Sequence, residues 1–133
     1  MMKLVDFVDD MPAFYSALDV FVLGSRTESF GLALAEAMAC ERAVVATPTS
    51  GAHRQIEHHV FGWQLESFEP AELAEALAAF AADADLRDRL GKTGRMSALR
   101  RFGIETTLDQ TLAALRGVDE SRIEDVRTGL ISA

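Results

Sequence analysis

Two glutamates and the loop between them are the residues whose types and spacing suggest chemistry. Glu36 is the only polar side chain in the run from Phe30 to Cys40. A carboxylate taken out of water without a partner is strongly destabilising. Glu36 therefore calls for a buried ion pair, a water-filled groove or a ligand, and a sugar diol donating two hydrogen bonds is a ligand of the right kind. Glu28 stands eight residues earlier, at the tip of a polar loop running from Gly24 to Ser29. If most of that interval is helical, at about 1.5 Å per residue, the two carboxylates lie roughly 10 Å apart. That separation suits two sugar rings on either side of a diphosphate and is too wide for the carboxylate pair of a retaining glycosidase. The loop runs into an expected helix start, where free N–H groups and the helix dipole favour an anion such as phosphate. Gly31 lets a ligand come close to the backbone.

The elements that must hold this loop are legible around it. Val20-Phe21-Val22-Leu23 is a continuous apolar run, the pattern of a strand buried on both faces. Residues 30–40 read as a nearly all-apolar helix, Ala43-Val44-Val45-Ala46 as a second buried strand, residues 47–51 as a loop and residues 63–65 as a further short strand. Upstream, residues 3–8 read as a strand, and Asp9-Asp10-Met11-Pro12 as the capped start of a short helix carrying residues 13–17. Downstream, residues 70–82, 86–101 and 104–115 have helical spacing; Gly91 and Gly94 weaken the second of these helices, and Gly117 is placed to end the third. Strands alternating with helices give an α/β class, a small parallel Rossmann-like sheet flanked by helices. In such sheets ligands bind beyond the carboxyl ends of the strands, which is where the loop lies. The expected organisation is one domain over residues 1–117 and a polar tail over 118–133.

Composition narrows the function classes. The 133 residues carry 21 acidic and 13 basic side chains, a formal charge of −8, so a duplex nucleic-acid binder or a ligand of anionic membranes is disfavoured. No apolar run is long enough to span a membrane, no signal-peptide core precedes Asp6, and one cysteine builds no disulfide framework, so a reducing cytoplasm is the expected compartment. Other signals carry less. Gly91-Lys92-Thr93 imitates the end of a phosphate-binding P-loop, but Leu86 stands where the pattern needs glycine. His53, His58 and His59 read as a polar loop rather than a metal site, and no metal is expected. Ser50-Gly51 lacks the surroundings of a serine nucleophile. Cys40 reads as a small buried apolar residue. Trp63 reads as core or groove wall.

Glu28, Phe30, Gly31 and Glu36 together resemble the donor-site signature of the retaining family 4 glycosyltransferases, which have the GT-B fold: a glutamate, seven residues and a second glutamate, with Phe-Gly two and three positions after the first. The flanks are similar too. They are the segment from Phe14 to Leu23, Glu36-Ala37-Met38-Ala39-Cys40 followed by Val44-Val45-Ala46-Thr47, and Gly62-Trp63-Gln64-Leu65 with the alanine-rich helix after it. The resemblance extends over residues 3–115 and implies part of the C-terminal, donor-binding half of such an enzyme. It implies that Glu28 is the catalytic-site carboxylate on the donor sugar's hydroxyls. It places Ser29, Phe30, Gly31 and Leu32 against sugar and diphosphate, and Glu36 on the ribose hydroxyls. Arg26 and His53 are further candidates for donor contact. The donor is a nucleotide-activated sugar and a substrate, so no cofactor is implied.

The departures from the family pattern are Gly24-Ser25 in place of Pro-Ser, Glu41-Arg42-Ala43 in place of Gly-x-Pro, and Gln55 in place of a loop glutamate. The acceptor-binding domain of the family, and the part of the donor domain with its diphosphate-binding Arg and Lys, have no counterpart in these residues. An unidentified acceptor and either an acceptor-domain chain or self-association are therefore expected as partners. The alternatives are a non-catalytic subunit or remnant acting by association, and more distantly another GT-B enzyme such as a nucleotide-sugar epimerase. By the strand-order rule for doubly wound sheets, residues 3–8 would be strand 3 and Val20–Leu23 strand 4. The strands between them are missing, which leaves an apolar edge to be covered. A shift of residues 3–8 alongside, a second copy pairing edge to edge, or the missing strands supplied by another protein would cover it, and self-association is the expected outcome.

Overall fold

The computed structural model describes residues 2–116. The chain divides into two units, residues 1–100 and 101–133. The first holds a parallel sheet of three strands in the order β1-β2-β3, formed by β1 (Val20–Leu23), β2 (Ala43–Ala46) and β3 (Trp63–Gln64). β1 and β2 pair in register from Val20 opposite Ala43 to Leu23 opposite Ala46, and β3 pairs through Trp63 with Val45 and Gln64 with Ala46. The helices are α1 (Met11–Ser16), α2 (Leu32–Ala39), α3 (Ser50–Gln55), α4 (Pro70–Ala82) and α5 (Ala84–Phe102). In the second unit, α6 (Ile104–Arg116) is an amphipathic helix. Gly117 and the expected polar tail lie outside the described residues.

The central strand is buried at all four positions because helices cover both its faces. Successive side chains of a strand alternate between faces. Ala43 and Val45 turn to a core shared with Leu65, Ala76, Phe80 and Leu90, against which Val20, Trp63, Leu73 and Leu86 pack. The ring of Trp63 meets Phe80 edge-on, with centroids 5.8 Å apart. Val44 and Ala46 turn to the other face, where right-handed crossovers put α2 and α3. There Leu34, Ala37 and Met38 are fully buried.

Four expectations are corrected. Residues 3–8 form no strand: they have no regular secondary structure and are mostly exposed, with Leu4 and Phe7 nearly bare, because among the described residues no neighbouring strand offers them a ladder. The shift of this segment alongside β1 does not occur, and among the described residues nothing pairs with the outer edge of β1, where Val22 is 37% exposed. The loop expected over 47–51 is cut short at Thr49, whose side chain caps α3 by accepting from the Ala52 N–H at 3.3 Å. The helix expected from Phe30 begins at Leu32, since Gly31 takes a left-handed conformation (φ 82°) and caps it.

α2 ends in a paired turn: Arg42 N–H donates to the Ala37 carbonyl at 3.0 Å and Glu41 N–H to that of Met38 at 2.9 Å. This geometry puts Glu41 in the left-handed region, φ 62°, at the position where glycine is the favoured residue. Gly91 of α5 packs on the same turn, and a Cβ there would come within 2.5 Å of the Glu41 carbonyl oxygen. Two glycine changes should therefore act with opposite sign in urea unfolding. Glu41→Gly should raise stability by about 0.5–1 kcal/mol by relieving left-handed strain. Gly91→Ala, which in an open helix would stabilise, should lower stability by about 1–3 kcal/mol through overpacking.

Candidate functional site

The loop between the two glutamates leaves the carboxyl end of β1 and crosses to the start of α2. Thr47, just after β2, holds its first part: its Oγ1 donates to the Ser25 carbonyl at 2.5 Å and its N–H to the Leu23 carbonyl at 3.1 Å. The second part is held by α3. Gly51 N–H donates to the Glu28 carbonyl at 2.8 Å, and Ser50 Oγ donates to the same oxygen at 3.0 Å. Gln55, fully buried at the end of α3, donates through Nε2 to the Phe30 carbonyl and, at 3.2 Å, to that of Gly31. A Cβ on Gly51 would stand 2.6 Å from the Phe30 carbonyl oxygen, so only glycine lets the two backbones meet. With its carbonyls tied back in this way, the loop enters α2 through Gly31. The N–H groups of Leu32 and Ala33, in the first turn of α2, have no intrahelical acceptor.

Glu36 lies one turn further along α2, half-buried. Its Oε2 accepts a hydrogen bond from the Tyr15 hydroxyl at 2.9 Å. Glu36 and Tyr15 line a cavity of about 250 Å³ together with Met11, Pro12, Ala39 and Cys40. Among the described residues the carboxylate is thus neither in a closed core nor bound to a distant arginine. It faces a groove with one oxygen held by a phenol. Asp10 positions this wall by capping α1, accepting from the Ala13 N–H at 3.0 Å. Arg42 fixes the other end of α1, donating to the Leu18 carbonyl at 3.0 Å and to the Cys40 carbonyl at 3.0 Å.

The remaining candidates separate. Ser29, Phe30 and Leu32 are exposed around Gly31, Phe30 at 37% and Leu32 at 65%. Arg26 turns away from Glu36: its guanidinium lies 5.9 Å from the ring centroid of Phe68, and it lines a second cavity of about 200 Å³ with Thr47, Leu65 and Leu73. His53, on α3, is exposed and bonds through Nδ1 to Gln64 Nε2 at 2.8 Å. Among the described residues no three His, Cys, Asp or Glu side chains are grouped to hold a metal ion. Sequence reasoning passed over Tyr15, which looks like one more apolar position of a short helix. It also gave Gln55 no role beyond that of a family departure. The available signal was that Gln55 is a polar residue immediately before the apolar Ile56, at the end of a Gly-containing turn.

Burial, and then the hydrogen bond to Glu36, push the Tyr15 phenol up to about 12. In an unfolded chain it would ionise near 10. The folded state therefore holds this proton where the unfolded state loses it. The stabilisation is complete below about pH 10 and is lost as pH rises through about 12. Tyr15 is the only tyrosine, so phenolate absorbance reads this group directly. The titration midpoint should lie near 12. Glu36→Gln should lower it part of the way toward the free value, since burial remains.

The pattern of the family described as glycosyl transferases group 1 matches residues 1–97. The chain is 37% identical over 120 residues, 86% of its length, to a D-inositol 3-phosphate glycosyltransferase of Kribbella flavida, and spans 28% of that protein. Among solved structures it superposes with a TM-score of 0.82 and 29% identity on Anabaena HepE, solved in complex with UDP and glucose, covering 87% of this chain and 32% of HepE. It also superposes with a TM-score of 0.68 and 30% identity on the C-terminal domain of a group 1 glycosyl transferase, LpcC of Francisella tularensis, covering 75% of this chain and 53% of that one. These neighbours place the sheet and its helices within the GT-B type of α/β fold. With the matched pattern covering most of its residues, the chain belongs to the glycosyl transferases group 1 family.

Proposed function

We propose that these residues form the donor-binding part of a retaining glycosyltransferase that takes a nucleotide-activated sugar. The observation that carries this reading is the cavity beside Glu36: a carboxylate on an otherwise apolar helix faces an open groove one turn from a glycine-capped helix start. In this reading Glu36 accepts from the ribose hydroxyls, the first turn of α2 and the Phe30-Gly31 backbone lie against the diphosphate, and Glu28 meets the sugar hydroxyls. Ser29 and Leu32 border the sugar, and His53 is a peripheral contact at most. The complexes of HepE with UDP and with UDP-glucose support a uridine nucleotide as the first donor to try.

Transfer also needs an acceptor held against the donor, and positioning supplies much of the rate. We assign that task to an acceptor-binding domain, in the same polypeptide or another, since the chain spans 28% of its curated relative. The compartment proposed is the cytoplasm, in keeping with a single cysteine, Cys40. No helix among the described residues is long and apolar enough to cross a membrane. The second reading, a subunit acting by association, is favoured by one feature, the outer edge of β1, with which no strand among the described residues pairs. Light scattering tests its simplest form, since a second copy pairing on that edge would double the mass at micromolar concentration.

Calorimetric titration with UDP, GDP and ADP sugars tests the donor site. One nucleotide series should bind, and Glu36→Ala should weaken it by about 1–3 kcal/mol, the scale of a hydrogen bond to a charged group. Unchanged affinity in that variant would remove Glu36 from the site. The same 133 residues, purified alone, should show no sustained transfer to any acceptor; robust turnover would show that the acceptor site is already present.

A further inference from the structure

The Tyr15–Glu36 contact joins two elements far apart in sequence and lies in the wall of the cavity. Tyr15 is 2% exposed. Its ring is fixed by edge-on contacts with Phe14 and Phe21, at centroid separations of 5.8 and 5.6 Å. A buried phenol normally finds a hydrogen-bond partner; here the partner is a carboxylate that the core does not otherwise need. α2 buries Leu34, Ala35, Ala37 and Met38, whereas Glu36 is half-buried and lines the cavity. The bond therefore both satisfies the buried phenol and fixes one oxygen of a carboxylate in the wall of the cavity.

We propose that Tyr15 is a positioning residue for recognition of a vicinal diol: its hydroxyl fixes the plane of the Glu36 carboxylate so that both adjacent hydroxyls of a ribose can donate to it at once. The proposal rests on the donor-site reading. A carboxylate on a free side chain rotates about its terminal bonds and must be ordered when a ligand arrives. One whose Oε2 is already held at 2.9 Å by a rigid ring is ordered beforehand. Oε2 has a second lone pair and Oε1 has two, so the phenol leaves acceptor sites for a diol. The phenol stays protonated throughout the physiological range, so the donor is always present. Tyr15 acts through Glu36, and its effect should be confined to the sugar hydroxyls.

The test compares nucleoside diphosphates with their 2′,3′-dideoxy forms. UDP, GDP and ADP, each with its dideoxy form, are titrated into the wild-type chain, Tyr15→Phe and Glu36→Gln. Phenylalanine keeps the ring contacts, and circular dichroism melting verifies the fold of each variant. The wild type should prefer the ribose form by tenfold or more, and Tyr15→Phe should cut that preference about tenfold while leaving affinity for the dideoxy form unchanged. A purely structural role would weaken both forms alike, and that result would overturn the proposal. A full preference in Tyr15→Phe with its loss in Glu36→Gln would also overturn it and leave the donor site standing. Absence of any ribose preference in the wild type, or of any binding, would overturn the donor-site reading and the positioning role with it.

Discussion

The loop between β1 and α2 has its shape because a six-residue helix holds three of its carbonyl groups from one side. The carbonyls of Glu28, Phe30 and Gly31 accept from the backbone of Gly51 and the side chains of Ser50 and Gln55. Three consequences follow from this one contact. The residue at position 51 can carry no Cβ, because the Phe30 backbone occupies that space. The residue at position 55 is in this chain a buried donor long enough to reach two carbonyls. The chain must then reverse into α2 through a left-handed residue, which is glycine at position 31. Because the loop carbonyls point back into the protein, the N–H groups of the first turn of α2 are left as the polar surface presented outward.

A second constraint sets Glu36 against Tyr15. α1 has only six residues, too few to be stable on propensity alone. It is pinned at its start by Asp10 and at its end by Arg42, which also binds the turn after α2. Arg42 therefore fixes both partners of the phenol–carboxylate contact. The same turn forces Glu41 into a left-handed conformation and accepts Gly91 of α5 against its carbonyl. Strain at Glu41 is thus tolerated because two helices and a strand close around that point. This is the expected pattern when surrounding structure over-determines an unfavourable dihedral.

The sequence was most informative where burial imposes a pattern. The apolar runs of β1 and β2 and the bounds of α4 appear where their patterns indicated, because the periodicity of a covered strand or helix is written in its own residues. Residues 3–8 have strand-like composition without strand structure, since β-propensity needs a neighbour on which to act. α3 was hidden because Thr47 to Gly51 has turn composition, and nothing local shows that Thr49 would act as a cap. Gly91 and Gly94 looked like weak points in a helix. They are places of close approach, to the carbonyls of Glu41 and Phe61, and no single-chain pattern reveals a contact across such a distance in sequence. At the site, the spacing of Glu28, Gly31 and Glu36 was visible. The partners Tyr15 and Gln55 were not, because their roles arise only when α1 and α3 fold against α2.

The charge of the chain bears on how an anion could be held at all. Its net charge is −8, and the long-range field of so acidic a chain repels a diphosphate. Arg26, the basic residue nearest the motif, lines a different cavity from Glu36 and lies over Phe68. His53 is engaged with Gln64. At the loop itself the backbone N–H groups and dipole of α2, a helix of eight residues, favour an anion. A helix terminus contributes about 0.3–1 kcal/mol toward a single charge at an exposed site, falling off within one turn. That is small against the desolvation of two phosphates. In the proposed donor site, affinity therefore rests more on hydroxyl contacts of the Glu36 kind, about 1–3 kcal/mol for a hydrogen bond to a charged group, than on the charge of the phosphates.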